Sequence, residues 1–181
     1  MNSKLLVLGT MAYDAIETPF GKTGKILGGC ATYIGLAASH FKSECGLISI
    51  IGSDFEEEHL ALLKAKNLDL TGVEQLEGEK TFFWSGKYQN DLNTRTTLDT
   101  QLNVLTKFNP KVPANFKDAS VVLLGNLDPN LQLEVLDQMD KKPDLVIMDT
   151  MNFWIESYRE KLDELIGRVD VISINDEEAR Q

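Results

Sequence analysis

Gly28 and Gly29 lead straight into Cys30-Ala31-Thr32-Tyr33-Ile34-Gly35-Leu36-Ala37-Ala38-Ser39-His40-Phe41. Two residues without Cβ atoms let a ligand come close to the backbone. The first N–H groups of a helix have no intrahelical partners and are free to donate to ligand oxygens. The chemistry on offer is recognition of a polar, oxygen-rich guest, although a plain Gly-Gly turn into a buried helix has the same look. Ile34, Ala37, Ala38 and Phe41 recur at three- and four-residue steps and are expected to form the apolar stripe of that helix. Asp14 stands just past the first apolar run, where open α/β sheets place ligand groups; a turn cap is its other role. Asn175 and Glu178 have capping-box spacing, Asn175 as cap and Glu178 as its reciprocal partner.

Competing chemistries fail on spacing. Gly21-Lys22-Thr23 looks like the tail of a phosphate-binding loop, but Ile16 stands where the motif needs its first glycine. Gly9-Thr10-Met11 lacks the second glycine of a dinucleotide fingerprint. There is no Gly-x-Ser-x-Gly elbow, and His40 and His59 have no evident nucleophile partner. Cys30 and Cys45 lack metal-ligand spacing and read as buried free thiols of a reducing compartment. Lys and Arg number 18 against 28 Asp and Glu, a net charge of −10. No basic stripe appears, which argues against nucleic acid as a partner. No run approaches membrane-spanning length, and residues 5–8 are too short for a signal peptide's apolar region. A cytoplasmic protein with a small-molecule ligand is expected.

These groups need elements to hold them. At 181 residues and 43% hydrophobic content, the chain is the size of one domain with a core. Apolar runs at 4–8, 46–51, 121–124, 145–148 and 169–174 read as strands. Helices are expected after the glycine pair, after Ser53-Asp54 as cap, from Asp128-Pro129 to Met139, and over 153–166. Strands alternating with helices predict a parallel sheet with right-handed crossovers. Polar residues gather at strand exits: Asp14, Asn126, Asp128, Asp149, Asn152 and Asn175. Residues 16–27 look extended or looped. Residues 81–98 read as an inserted hairpin, with Phe82, Trp84 and Tyr88 on one face, a turn at Gln89-Asn90-Asp91 and a second arm over 92–98. Such a hairpin can pack, cover a ligand or contact a second copy. A helix begins at Asn175 and the sequence stops at Gln181, after less than two turns, and the last strand has no closing unit. The chain is therefore expected to be the front part of a longer protein.

Four features together resemble the ribokinase-like (PfkB-type) carbohydrate kinases: the strand followed by Gly9-x4-Asp14; the Gly28-Gly29 helix with Gly52-x-Asp54-x-x-x-x-x-Leu60 downstream; the inserted hairpin; and Asn175-x-x-Glu178 after a strand. The resemblance implies an incomplete ribokinase-like α/β fold with a small β lid built from segments near 14–28 and 72–98. It implies ATP- and Mg²⁺-dependent phosphorylation of a hydroxyl on a sugar or sugar-like alcohol. Asp14, Gly28, Gly29, Tyr33, Trp84 and Asp128 would then lie against the acceptor, and Asn175 and Glu178 near Mg²⁺ and phosphate. Asp128 is also a helix cap, and Trp84 also a packing residue. Tyr33 stands where the family commonly has an asparagine that touches the sugar. This opens the alternative of a nucleoside kinase of the same fold; a non-catalytic binder is the second alternative. A homodimer through the lid is a further expectation. The family's Gly-Ala-Gly-Asp motif, which supplies the catalytic base, is absent from the chain. The resemblance implies no catalytic residue within it and places the base beyond Gln181. The 181-residue chain alone is therefore expected to show no turnover above blank in a coupled kinase assay.

Overall fold

Short runs of Val, Ile and Leu build the centre of the computed structural model, which describes residues 4–41, 44–92 and 94–181. In chain order the strands are β1 (Lys4–Leu8), β2 (Ala12–Thr18), β3 (Gly21–Lys22), β4 (Ile26–Gly28), β5 (Glu44–Gly52), β6 (Leu68–Leu76), β7 (Phe83–Tyr88), β8 (Arg95–Gln101), β9 (Val121–Leu124), β10 (Leu145–Asp149) and β11 (Val171–Ser173). The helices are α1 (Cys30–Ala38), α2 (Glu57–Ala65), α3 (Pro129–Asp137), α4 (Asn152–Ser157) and α5 (Arg159–Ile166). The main sheet has six strands in the order β11-β10-β9-β1-β5-β6, all parallel. Strand order reverses beside β1, and a crevice at such a reversal is where open α/β sheets bind ligands.

Alternation along each strand divides the core in two. Leu6, Leu8, Ile50, Val122, Leu124, Val146 and Met148 point one way, onto Leu133 of α3 and Leu162 and Leu165 of α5. Val7, Leu47 and Ile51 point the other way, onto Ala31 of α1 and Leu63 of α2. Helices on both faces bury the centre of the sheet, as the alternation of elements requires, while the edge strand β11 is exposed.

The second sheet grows out of the first. Only Gly9, Thr10 and Met11, all buried, separate β1 from β2. In this mixed sheet β2 pairs with β3 and β4 antiparallel and with β7 parallel, and β8 closes the far edge. The hairpin of β7 and β8 is the one expected over 81–98; Asn93 of its second arm lies outside the described residues.

Several local expectations are corrected. Of the two alternatives for residues 16–27, extended or looped, the structure takes the extended one over three strand segments joined by short turns. The strand β6 has no clear mark in the sequence because Asp69, Thr71, Glu74 and Gln75 interrupt its apolar pattern, as an outermost strand allows. The buried face of α1 is Ala31, Thr32 and Gly35, while Phe41 is 75% exposed. Small residues win there because the helix lies close to β5; a Cβ on Gly35 would sit 3.0 Å from Leu68 and 3.1 Å from Leu47. The 153–166 helix breaks at Tyr158 into α4 and α5. The helix expected from Asn175 to Gln181 is only a single 3₁₀ turn over Glu178–Arg180, with Gln181 as its C-cap. Its last residue is tied back to the body of the fold, since the Gln181 carbonyl accepts from Arg159 Nη1 of α5 at 3.4 Å.

Ser53 and Asp54 do not cap α2, whose cap position is Glu56. Asp54 instead ties the two sheets together: one carboxylate oxygen accepts the Thr81 N–H at 2.7 Å and the other pairs with Lys25 at 3.1 Å. The Lys25 ammonium also lies 3.9 Å from the centre of the Tyr13 ring, a cation–π contact. Burial pushes the Asp54 carboxyl up, but the Thr81 hydroxyl and N–H and the Lys25 charge outweigh it and hold the group below its ordinary value of 3.8. A carboxylate depressed in the folded state stabilises it above the ordinary value, and that contribution is lost as pH falls through the folded value. Asp54→Asn is therefore expected to lower Tm at pH 7, with the difference from wild type shrinking below about pH 4 in melts followed by circular dichroism.

Candidate functional site

Strand pairing sets the geometry around Asp14. In β2 it lies opposite Ile26 of β4 on one side and Trp84 of β7 on the other. Paired residues share a face, so Asp14 and Trp84 project together, while Tyr13 and Phe83 project oppositely. Tyr13 is buried; its hydroxyl accepts the Glu56 N–H at 2.8 Å and lies 3.2 Å from His59 Nδ1. That face is therefore committed to packing.

The Asp14 face is different. A Cβ built on Gly28 would overlap Asp14 Oδ2, so the carboxyl occupies the space of the missing side chain. Gly29 has φ 95°, and its Cβ would overlap the Thr10 carbonyl oxygen. Gly29 thus requires glycine, for close approach to backbone and for a left-handed conformation, whereas a side chain at position 28 would force the Asp14 carboxyl to move. No hydrogen bond or ion pair engages the Asp14 carboxylate among the described residues, and burial pushes its pKa up. The Trp84 indole lies over Gly86 and donates to Thr97 Oγ1 of β8 at 3.3 Å. The Tyr33 hydroxyl donates to the Leu27 carbonyl at 3.1 Å, beside Gly28, and leaves its ring 57% exposed.

A second cluster forms where β9, β10 and β11 end. Asn126, Asp149, Thr150, Ser173, Asn175 and Glu178 line a cavity of about 240 Å³, and Arg95 of β8 reaches it from the small sheet. The capping box expected at Asn175 is present: Asn175 Oδ1 accepts from Glu178 N at 2.9 Å, and Glu178 Oε2 accepts from Asn175 N at 3.0 Å. Burial, with the Glu178 charge, pushes the Asp149 carboxyl up against N–H bonds from Thr150 and Asn126. Gln132 of α3 fixes the spacing of the walls, its amide nitrogen donating to the carbonyls of Leu124, Gly125 and Asp149. Trp154 Nε1 donates to Asn126 Oδ1 at 2.9 Å.

The structure thus brings Asp14, Gly28, Gly29, Tyr33 and Trp84 to one region and Asn175 and Glu178 to another. Asp128 sits in neither; its carboxylate caps α3 by accepting the Asn130 N–H at 2.8 Å. The strand-exit pattern flags Asn126 and Asp149 in advance. Arg95 carries no such mark, because only the hairpin's pairing brings it there. Both cysteines are free, and burial pushes the Cys45 thiol up to about 11. No helix among the described residues is long and apolar enough to cross a membrane.

A sequence model of pfkB family carbohydrate kinases matches residues 2–181. A cytidine kinase from Thermococcus kodakarensis is 29% identical over 179 residues, an alignment covering 97% of this chain and 62% of the relative. A Burkholderia thailandensis nucleoside kinase solved in complex with inosine superposes with a TM-score of 0.78 at 18% identity, over 97% of this chain and 62% of that one. Arabidopsis thaliana ribokinase complexed with ribose and ATP gives 0.71 at 17% identity, over 98% and 62%. This chain therefore spans about 62% of the length of each of these proteins.

A half-buried carboxylate with no partner costs stability while it is charged. Its raised pKa means that this cost is present at neutral pH and vanishes as pH falls below the ordinary value of 3.8, where folded and unfolded forms are both protonated. Asp14→Asn is expected to raise Tm at pH 7.5 and to leave it unchanged at about pH 3.5, as differential scanning calorimetry will show.

Proposed function

We propose a function from one established premise: the chain belongs to the pfkB family of carbohydrate kinases. The reading is ATP-dependent phosphorylation of a hydroxyl on the sugar part of a nucleoside, with this chain carrying the acceptor site. The observation that carries it is the unpartnered Asp14 carboxylate over Gly28 and beside Trp84. A carboxylate accepts from two neighbouring hydroxyls at once, as the vicinal diol of a ribose presents them. The exposed Tyr33, bonded to the Leu27 carbonyl next to Gly28, and Trp84, paired with Asp14 on the same face of the small sheet, offer apolar faces to a base. The likeness to a cytidine kinase favours a nucleoside over a free sugar.

The small sheet serves in this reading as a lid that excludes water from the acceptor. Mg²⁺ suits the second cluster: two acids, Asp149 and Glu178, lie close enough for one to raise the pKa of the other, and hard divalent cations take carboxylate oxygens. Those two side chains would hold the ion, which supplies neutralisation of phosphate charge. Transfer joins the acceptor oxygen to the γ-phosphorus, breaks the bond to ADP and releases the acceptor proton. Residues 1–181 contain no Gly-Ala-Gly-Asp, and the reading gives the proton's acceptance to none of them.

The test is ADP release by the intact protein with ATP, Mg²⁺ and a panel of cytidine, uridine, inosine, ribose and fructose. The highest kcat/KM is expected with a nucleoside, and Asp14→Asn is expected to lower it about a hundredfold, the loss of two charge-assisted bonds. Turnover of free sugars without nucleosides overturns the acceptor assignment; no turnover with any of them overturns the kinase reading.

A further inference from the structure

A Cβ on Gly86, two residues along β7 from Trp84, would overlap the indole ring atoms Cζ2, Cη2 and Cζ3. The ring therefore lies along the strand over bare backbone, and Gly86 is buried beneath it. Any side chain at position 86 has to lift the ring off the strand. Trp84 itself stays half-buried. One ring face rests on the glycine, which leaves the other for a ligand, on the side of the sheet that carries the Asp14 carboxylate.

The partner strand is shaped to the same end. Pairing of β7 with β8 slips between Ser85, opposite Asp99, and Gly86, opposite Thr97, so Leu98 is an extra residue, 53% exposed. A bulge of this kind re-aims the side chains around it. In unbroken alternation Leu98 would stand opposite Gly86; the bulge puts Thr97 there instead. Thr97 Oγ1 accepts the indole Nε1–H at 3.3 Å. A glycine, a bulge and a hydrogen bond thus fix one ring, and none of Trp84, Gly86 and Thr97 joins either core cluster.

We propose that Gly86 and Thr97 are positioning residues for the base of the acceptor: they lay the Trp84 indole flat, so that its free face stacks on a planar nucleobase. The proposal rests on the nucleoside reading of the acceptor site. Asp14 and Trp84 stand directly opposite each other, and the ring runs from that row toward Gly86, about 7 Å along the strand. A ribose with its diol on Asp14 carries its base on the carbon next to that diol, within reach of this platform. An aromatic ring over a glycine also steadies a sheet, an effect read in Tm and not in the affinity for one ligand.

The test is calorimetric titration of cytidine into the intact protein and into Gly86→Ala, Thr97→Val, Trp84→Leu and the double variant Gly86→Ala/Trp84→Leu. Tm is measured for each, and kcat and KM with ATP and Mg²⁺. Gly86→Ala and Trp84→Leu are each expected to weaken cytidine binding and raise its KM about tenfold or more, the size of one base–aromatic stack. Both should leave kcat and the KM for ATP within about twofold of wild type. Thr97→Val, which frees the ring without lifting it, is expected to cost about threefold in affinity. Because Gly86 acts through the indole, the double variant should bind cytidine no more weakly than Trp84→Leu alone. Wild-type affinity in Gly86→Ala, or losses that multiply in the double variant, overturns the proposal. If Gly86→Ala fails to fold, wild-type affinity in both Trp84→Leu and Thr97→Val overturns it. Cytidine binding with the expected dependence in a protein without turnover upholds it and overturns the kinase reading instead. No cytidine binding by the wild type overturns the proposal and the nucleoside reading together.

Discussion

Everything in the candidate acceptor site depends on how closely the chain crosses itself at Gly28 and Gly29. The Asp14 carboxyl fills the place of a side chain at Gly28, and the Thr10 carbonyl fills it at Gly29. The crossing is fastened by a reciprocal set of bonds. Cys30 N donates to Thr10 Oγ1 at 3.1 Å, Ala31 N to the Thr10 carbonyl at 3.0 Å, and Thr10 N to Cys30 Sγ at 3.3 Å. The end of β1 and the start of α1 are thereby locked, and an acidic side chain is set over bare backbone. Any larger residue at position 28 displaces either the carboxyl or the strand pairing that aims it.

That arrangement keeps a polar group in place at a cost in stability. The same chain satisfies nearly all its other buried polar groups, with only Thr32, Gln132 and Thr150 leaving a buried side-chain atom without a partner among the described residues. Gln132 also shows how a buried amide can serve geometry: the carbonyls of Leu124 and Asp149, the last residues of β9 and β10, and of Gly125 just past β9 converge on its nitrogen, so the two strands end at a fixed separation.

Five of the six strands of the main sheet are legible in the sequence because they are continuous apolar runs ended by glycine or a polar residue, the signature of strands in a parallel sheet; β6, at the edge and interrupted by polar residues, is not. The glycine pair, Asp14 and the Asn175–Glu178 box can also be read, since each depends on local spacing. The short strands β3 and β4 cannot, being two and three residues long and held by pairing with β2. The buried face of α1 is hidden because hydrophobicity points to Ile34 and Phe41, whereas tight helix–strand packing selects Ala31 and Gly35. Asp54 resembles a cap by its position in the chain; its partners, Lys25 and Thr81, lie 29 and 27 residues away. Arg95 belongs to the same class, a residue whose meaning comes only from tertiary pairing.

The short connection between β1 and β2 has a mechanical consequence. Gly9 N donates to the Ile48 carbonyl at 3.1 Å and Met11 N to Ser49 Oγ at 2.9 Å, so both ends of this elbow are clamped to the central sheet. A small sheet rooted so firmly cannot swing like a door on a loose hinge. It has to flex like a cantilever, with amplitude growing from the fixed root toward the free tips at residues 18–22 and 89–92. Amide exchange along β2 and β7 should then quicken steadily from root to tip, without the abrupt step that a hinge would leave.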